Sequence, residues 1–295
     1  MSPIAASRGF RHILCPVDFS RHSRVALRYA GALAERSGGK LSVLTANDPM
    51  LAAAAAAAMT RDVYQLDTLT MKELRRFVYT VLGRVGAKAT LHVVVGHPAD
   101  QIDRATRQLD VDLVVMGTHG LSGPKKWFFG STTESLFRRS KVPVLAVPGL
   151  GRGPAGTSAG TLFKTILAPV DLQGTGAIEI RQVSDAARRL GGKPLFLHVV
   201  RPADVPTWLN RQRVEAAQKR FRDLLGESAR TPFRIVIGDP VDQIERTSRR
   251  ERVGAIVMTL KRHGLLGPRR GSISYRVVSS GIVPVLALPS ARERG

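Results

Sequence analysis

The sequence predicts an α/β protein of two tandem Rossmann-like domains, each a five-stranded parallel sheet with helices on both faces. Three observations lead there. At 295 residues the chain is too long for one ordinary domain and suits two of roughly 150. Three segments recur in the same order. Within each copy, apolar runs of strand length alternate with helical periodicity, the pattern of a parallel sheet covered on both faces.

The repeats set the frame. Ile13-Leu-Cys-Pro-Val-Asp18 returns as Ile166-Leu-Ala-Pro-Val-Asp171, an offset of 153. Val94-Val-Gly-His-Pro-Ala-Asp-Gln-Ile102 returns as Val236-Ile-Gly-Asp-Pro-Val-Asp-Gln-Ile244, offset 142, and Val142-Pro-Val-Leu-Ala-Val-Pro148 as Val283-Pro-Val-Leu-Ala-Leu-Pro289, offset 141. The falling offset gives copy two a shorter middle segment, so the alanine run Leu51 to Met59 belongs to an elaborated connection or helix start in copy one. The expected domains are 1–150 and 161–295, joined by a glycine-rich linker over 151–160.

Copy one reads in order as follows. Ile13 to Val17 is a first strand, and Ser20 caps a helix carrying apolar Val25, Leu27, Tyr29, Ala30, Leu33 and Ala34. Gly38-Gly39 ends that helix, as Gly191-Gly192 does in copy two, because glycine accepts the left-handed geometry of a helix end. Leu41 to Ala46 is a second strand and Asp62 to Val85 a second helix. Leu91 to Val95, Leu113 to Met116 and Val144 to Val147 are strands three to five. Pro98 to Leu109 and Thr132 to Arg139 are helices three and four. Ligands of such sheets bind beyond the carboxyl ends of the strands, where Asp18, Ala46 and Gly117 fall.

Composition narrows the function. There are 45 basic and 23 acidic residues, net +22, divided as 20 against 11 up to residue 150 and 25 against 12 beyond it. Both halves therefore favour anionic partners: nucleotides, nucleic acid or an acidic protein. A solvated arginine-rich surface explains the charge more simply than a dedicated nucleic-acid site, and aromatics at 5% are few for a stacking platform. No apolar run approaches membrane-spanning length and the N-terminus lacks a signal-peptide core. The single cysteine, Cys15, excludes an internal disulfide framework and fits a reducing compartment. The expected location is the cytoplasm, with no membrane partner.

The chemistry-bearing segment is Val115-Met-Gly-Thr-His-Gly-Leu-Ser-Gly-Pro-Lys-Lys-Trp-Phe-Phe-Gly-Ser-Thr132, running from a strand end through a loop into a helix. Gly117, Gly120 and Gly130 permit close approach of a ligand to the backbone. Gly130-Ser131-Thr132 opens a helix, where free amides and the dipole favour phosphate. On the loop alone, a flexible crossover with a serine cap is an equally good account.

The spacing Gly-x2-Gly-x9-Gly-Ser, with Asp18 after strand one, resembles the signature of the universal stress protein family in its tandem-domain form, over nearly the whole chain. The resemblance implies an ATP site, with Mg2+. It places Asp18 and the backbone at Pro16, Val17 and Ala46 on adenine and ribose. Met116, Gly117 and Gly120 then flank ribose and phosphates, and Gly130, Ser131 and Thr132 hold the phosphates. It further implies edge-to-edge pairing through the strands Val142 to Val147 and Val283 to Leu288, either between the two copies or with a second chain as a homodimer. The expected role is a stress or dormancy regulator in which nucleotide occupancy biases conformation or binding of a regulatory protein partner. Slow ATP hydrolysis at the same site and binding of nucleic acid or another anion are the alternatives.

Copy two departs from the signature. It keeps Asp171 and Gly271-Ser272, but Thr259 or a neighbour replaces the first glycine and only six residues separate Gly264 from Gly271. The loop carries Lys261, Arg262, Arg269 and Arg270. A degenerate, structural copy is the favoured reading, and a basic pocket of altered anion specificity the other. Elsewhere, Lys125 and Lys126 add charge beside the first loop, and Trp127, Phe128 and Phe129 suit either a cover over the nucleotide or, more simply, an interface. His119 could touch phosphate or stabilise a turn. The histidines show no metal-ligand spacing. Cys15 reads as a buried inert thiol, and no catalytic residue is expected.

Overall fold

The chain is described from a computed structural model over residues 9–47, 49, 63–118, 130–149, 163–173, 176–202, 207–226, 231–260 and 272–289. The alanine run, the linker, most of the loop after Gly117 and the corresponding loop of copy two lie outside these residues. The described residues up to 149 form one compact unit and those from 163 another.

In the first unit, β1 is His12–Pro16, α1 Arg21–Ser37, β2 Lys40–Asn47, α2 Val63–Leu82, β3 Thr90–Val95, α3 Pro98–Gln108, β4 Leu113–Gly117, α4 Ser131–Arg139 and β5 Val144–Val147. The strands are parallel, in the order β3-β2-β1-β4-β5. The second unit repeats this with β6 (Thr165–Pro169), α5 (Ala177–Arg189), β7 (Lys193–Val200), α6 (Thr207–Leu225) and β8 (Phe233–Ile237). It ends with α7 (Pro240–Arg250), β9 (Ala255–Leu260), α8 (Ile273–Ser280) and β10 (Val285–Pro289). Its order is β10-β9-β6-β7-β8, again parallel.

The local signals act as expected. Ser20 Oγ accepts the Ser23 amide at 3.1 Å, capping α1, and Gly38 ends it at φ 64°. The apolar face of α1, from Val25 through Leu27, Ala30 and Leu33, is buried. The second helix stops earlier than its periodicity suggests: α2 gives way to a 3-10 segment at Gly83–Lys88. The central strands are buried on both sides, with Ile13, Leu14, Val114, Val115 and Leu145 at 0% exposure. Each such side chain contributes about 1.5–3 kcal/mol of transfer free energy. In the second unit Phe221 bridges Phe196 and Phe233, ring centroids 5.3 and 4.7 Å away.

This order puts a topological switch between β1 and β4, because the chain builds toward β3 from one side and toward β5 from the other. The paired register there covers only Ile13↔Leu113 and Leu14↔Val114. The carboxyl ends of the two strands are therefore unlinked, and the crevice of a doubly wound sheet opens at that place. The second unit has the same short register, Ile166↔Ala255 and Leu167↔Ile256.

Candidate functional site

On the β1 side of the first crevice, the backbone turns sharply. Val17 continues the strand by donating its N–H to Leu44 O at 2.8 Å. The Asp18 carboxylate accepts the Ser20 amide at 3.1 Å, so the aspartate is fixed at the start of α1. Pro16 and Asp18 are part-exposed while Val17 is buried. At the end of β2, Ala46 is part-exposed. Its neighbour Asn47 donates to Asp67 Oδ1 at 3.2 Å and Thr70 Oγ1 at 3.4 Å, which ties this strand end to α2.

On the β4 side, the two ends of the chemistry-bearing loop are joined. Gly130 donates its N–H to Thr118 O at 3.0 Å, Thr118 donates to Val147 O at 3.0 Å, and the Thr133 hydroxyl donates to Gly117 O at 3.1 Å. The start of α4 is thereby held against the end of β4, bringing Met116, Gly117, Gly130, Ser131 and Thr132 together. The N-cap, Gly130, supplies no side chain to the first turn of α4. That turn carries the amides and the positive end of the helix dipole to which anions are drawn. Gly120, His119, Lys125, Lys126 and the Trp127–Phe129 cluster lie outside the described residues.

Gly117 has a packing role that the spacing alone did not reveal. A Cβ there would stand 2.9 Å from His22 Cβ and 3.0 Å from the His22 carbonyl carbon. The first turn of α1 thus presses on the end of β4, and only glycine leaves room. The His22 ring continues onto Gly149, where a Cβ would overlap Cδ2 and Nε2.

The second copy keeps the turn after its first strand but differs at the end of β9 and in the backbone beside the aspartate. The registers Ile13↔Leu113 and Ile166↔Ala255 set Thr259 at the place of Gly117. Asp18 and Asp171 share one offset with Gly38 and Gly191, so α5, beginning at Ala177, starts three residues later than α1. The Thr259 hydroxyl donates to Glu179 Oε1, and Glu179 stands where the buried Ala26 does in copy one. Asp171 keeps its turn, accepting the Gln173 amide at 3.1 Å. The backbone beside it is taken up internally: His198 Nδ1 donates to Val170 O at 2.9 Å and Arg220 Nε to Leu172 O at 2.6 Å. At the loop's far end, Ser272 is itself the N-cap of α8 and accepts the Tyr275 amide at 3.3 Å.

Among the described residues no group of three or more His, Cys, Asp or Glu could hold a metal ion. No helix among them is long and apolar enough to cross a membrane. Cys15 is fully buried, and burial pushes its thiol pKa up, as suits an inert side chain. Sequence reasoning passed over His22, Thr118 and Thr133. Thr118 and Thr133 lay within or beside the loop motif, but His22 is brought to β4 only by packing.

Two doubly wound parallel units, one with an uncapped helix start beside the strand switch, define a tandem α/β protein. The chain belongs to the universal stress protein family, whose model matches residues 9–148 and again 162–289. Universal stress protein MJ0577 of Methanocaldococcus jannaschii is 26% identical over 153 residues, 47% of this chain and 94% of that protein. A universal stress protein of Archaeoglobus fulgidus aligns over 98% of this chain and 100% of its own, with TM-score 0.66 and 20% identity, a likeness of fold. A universal stress protein solved in complex with cAMP is 27% identical, covering 48% of this chain and 98% of its own, with TM-score 0.36.

Proposed function

We propose that the first domain binds ATP with Mg2+ beyond the ends of β1, β2 and β4, and that occupancy regulates a protein partner in a cytoplasmic stress or dormancy response. The observation that carries this reading is the Gly130 to Thr118 hydrogen bond. It sets a helix start without a side-chain cap beside Gly117, across the strand switch from the Asp18 turn. The residues suit the ligand: amides and the Ser131 and Thr132 hydroxyls for phosphates, and Asp18 with the backbone at Pro16, Val17 and Ala46 for the nucleoside. Gly120 is proposed alongside them by resemblance. Magnesium would come bound to the phosphates and lower their charge.

The second domain acts as a scaffold in this reading, since its own side chains engage the backbone beside Asp171. Titrating the purified chain with a labelled ATP analogue in the presence of magnesium tests the reading: saturable binding of one equivalent is expected, and its absence would overturn it. The proposed oligomer is a homodimer, checked by light scattering of the eluting protein.

A further inference from the structure

Phe19, next to Asp18, has φ at +62°, the left-handed region that a side chain with a Cβ enters at a cost. Asp110 at 51° and Arg252 at 48° are the other described non-glycine residues there. Those two occupy matching places, after α3 and after α7, so their conformation belongs to the shared fold. Phe19 has no such counterpart. At its place in copy two stands Leu172, 2% exposed and outside the left-handed region.

The Phe19 ring meets Phe77 of α2 edge-on, centroids 5.4 Å apart and planes at 88°. Phe77 is buried, and the Arg24 guanidinium of α1 lies 4.9 Å from its ring centroid. The turn after β1 is therefore pinned by a stack from Phe19 through α2 back to α1. Edge-on aromatic pairs and cation–π contacts are of a size to offset such backbone strain. Closing the turn does not itself require it, because Asp171 makes the same carboxylate-to-amide contact in copy two without it. What differs is the backbone alongside, which copy two ties to His198 and Arg220.

We propose that Phe19 and Phe77, backed by Arg24, are positioning residues of the nucleotide site. They hold the Val17–Asp18 backbone and the Asp18 carboxylate toward the nucleoside, through a strained conformation confined to the binding copy. This rests on the reading that the first domain binds ATP.

The test uses the full chain, a fluorescent ATP analogue with magnesium, and chemical denaturation of each variant. Phe77→Leu keeps an apolar core but removes the ring partner, and affinity is expected to fall about tenfold, the scale of one lost aromatic contact. Glycine takes the left-handed conformation without an anchor, so Phe19→Gly in the Phe77→Leu background should bring affinity back to within about twofold of wild type. A loss through core packing alone would not be rescued in this way. Unchanged affinity in Phe77→Leu, or no rescue when both variants fold, overturns the proposal. If the wild-type chain binds no ATP, the nucleotide reading falls and the positioning role with it. Hydrogen exchange at the Ser20 amide then judges the anchor alone: faster exchange in Phe77→Leu supports it and unchanged exchange removes it.

Discussion

Gly117 of β4 lies against His22 of α1, which fills the space a Cβ would need. A Cβ on Gly117 would meet both the His22 side chain and its backbone, at 2.9 and 3.0 Å. At Gly149, by contrast, the atoms nearest to a Cβ all belong to the His22 ring. The first glycine of the loop signature is thus fixed by helix packing, independently of any ligand it flanks.

That contrast predicts two unlike outcomes. Gly117→Ala should destabilise the chain by about 1–3 kcal/mol through overpacking, and His22→Ala should rescue little, because the backbone contact and the Cβ remain. Gly149→Ala should cost less, since a ring can swing away, and His22→Ala should remove most of that cost. Denaturation of the two double-mutant cycles reads both; equal rescue at the two glycines would contradict the packing account.

The start of α4 offers a trade between stability and binding. Gly130 has φ −58° and ψ 141°, which any L-residue adopts. Gly130→Asp would place a carboxylate over the first turn, adding a few tenths of a kcal/mol as a cap while competing with and repelling phosphate. Calorimetric titration should show weaker ATP binding, by about tenfold or more, with an unchanged or raised denaturation midpoint. Undiminished binding would move the phosphates elsewhere.

The two aspartates should not be equivalent. Asp18→Ala is expected to weaken ATP binding markedly, and Asp171→Ala to leave it unaltered, because Val170 O and Leu172 O beside Asp171 already accept from His198 and Arg220. A binding stoichiometry near two per chain, or sensitivity to Asp171→Ala, would show the second copy to be competent.

Acid should weaken the first unit through His92. His12 Nε2 and His92 Nε2 lie 3.0 and 3.3 Å from the buried Ser42 hydroxyl. Burial first, and the neighbouring His12 second, lower the His92 pKa. The native state therefore binds that proton less readily than the unfolded chain. The stability in question is present above the unfolded value of about 6.5 and is lost as pH falls from there to the folded value. Denaturation midpoints should drop as pH falls below about 6.5, with a shallower drop in His92→Leu. Identical slopes would exclude His92 as the group responsible.

Much of this molecule is local information. The hydrophobic period changes at each boundary, so β1, α1, β2 and their counterparts were legible, as was Ser20 as a cap. The early end of α2 was less so, because a 3-10 run at Gly83–Lys88 preserves apolar spacing while changing the bonding. Of the candidate site, the strand ends and the Gly130-Ser131-Thr132 helix start were visible as motif, and the spacing also exposed the loss of the first glycine in copy two, at Thr259 or a neighbour.

The sequence by itself determined two α/β copies, their strand order of events along the chain, and which copy retains the glycine-bearing loop. Only tertiary structure decided why. Whether a glycine is needed at the end of β4 depends on the helix packed against it: His22 of α1 crowds Gly117, whereas Thr259 bonds Glu179 of α5. Whether the turn after β1 is strained depends on Phe77, distant in sequence but in ring contact with Phe19. Spacing reports contacts made within one element or turn; these are made between elements, where packing fixes which side chains share a volume.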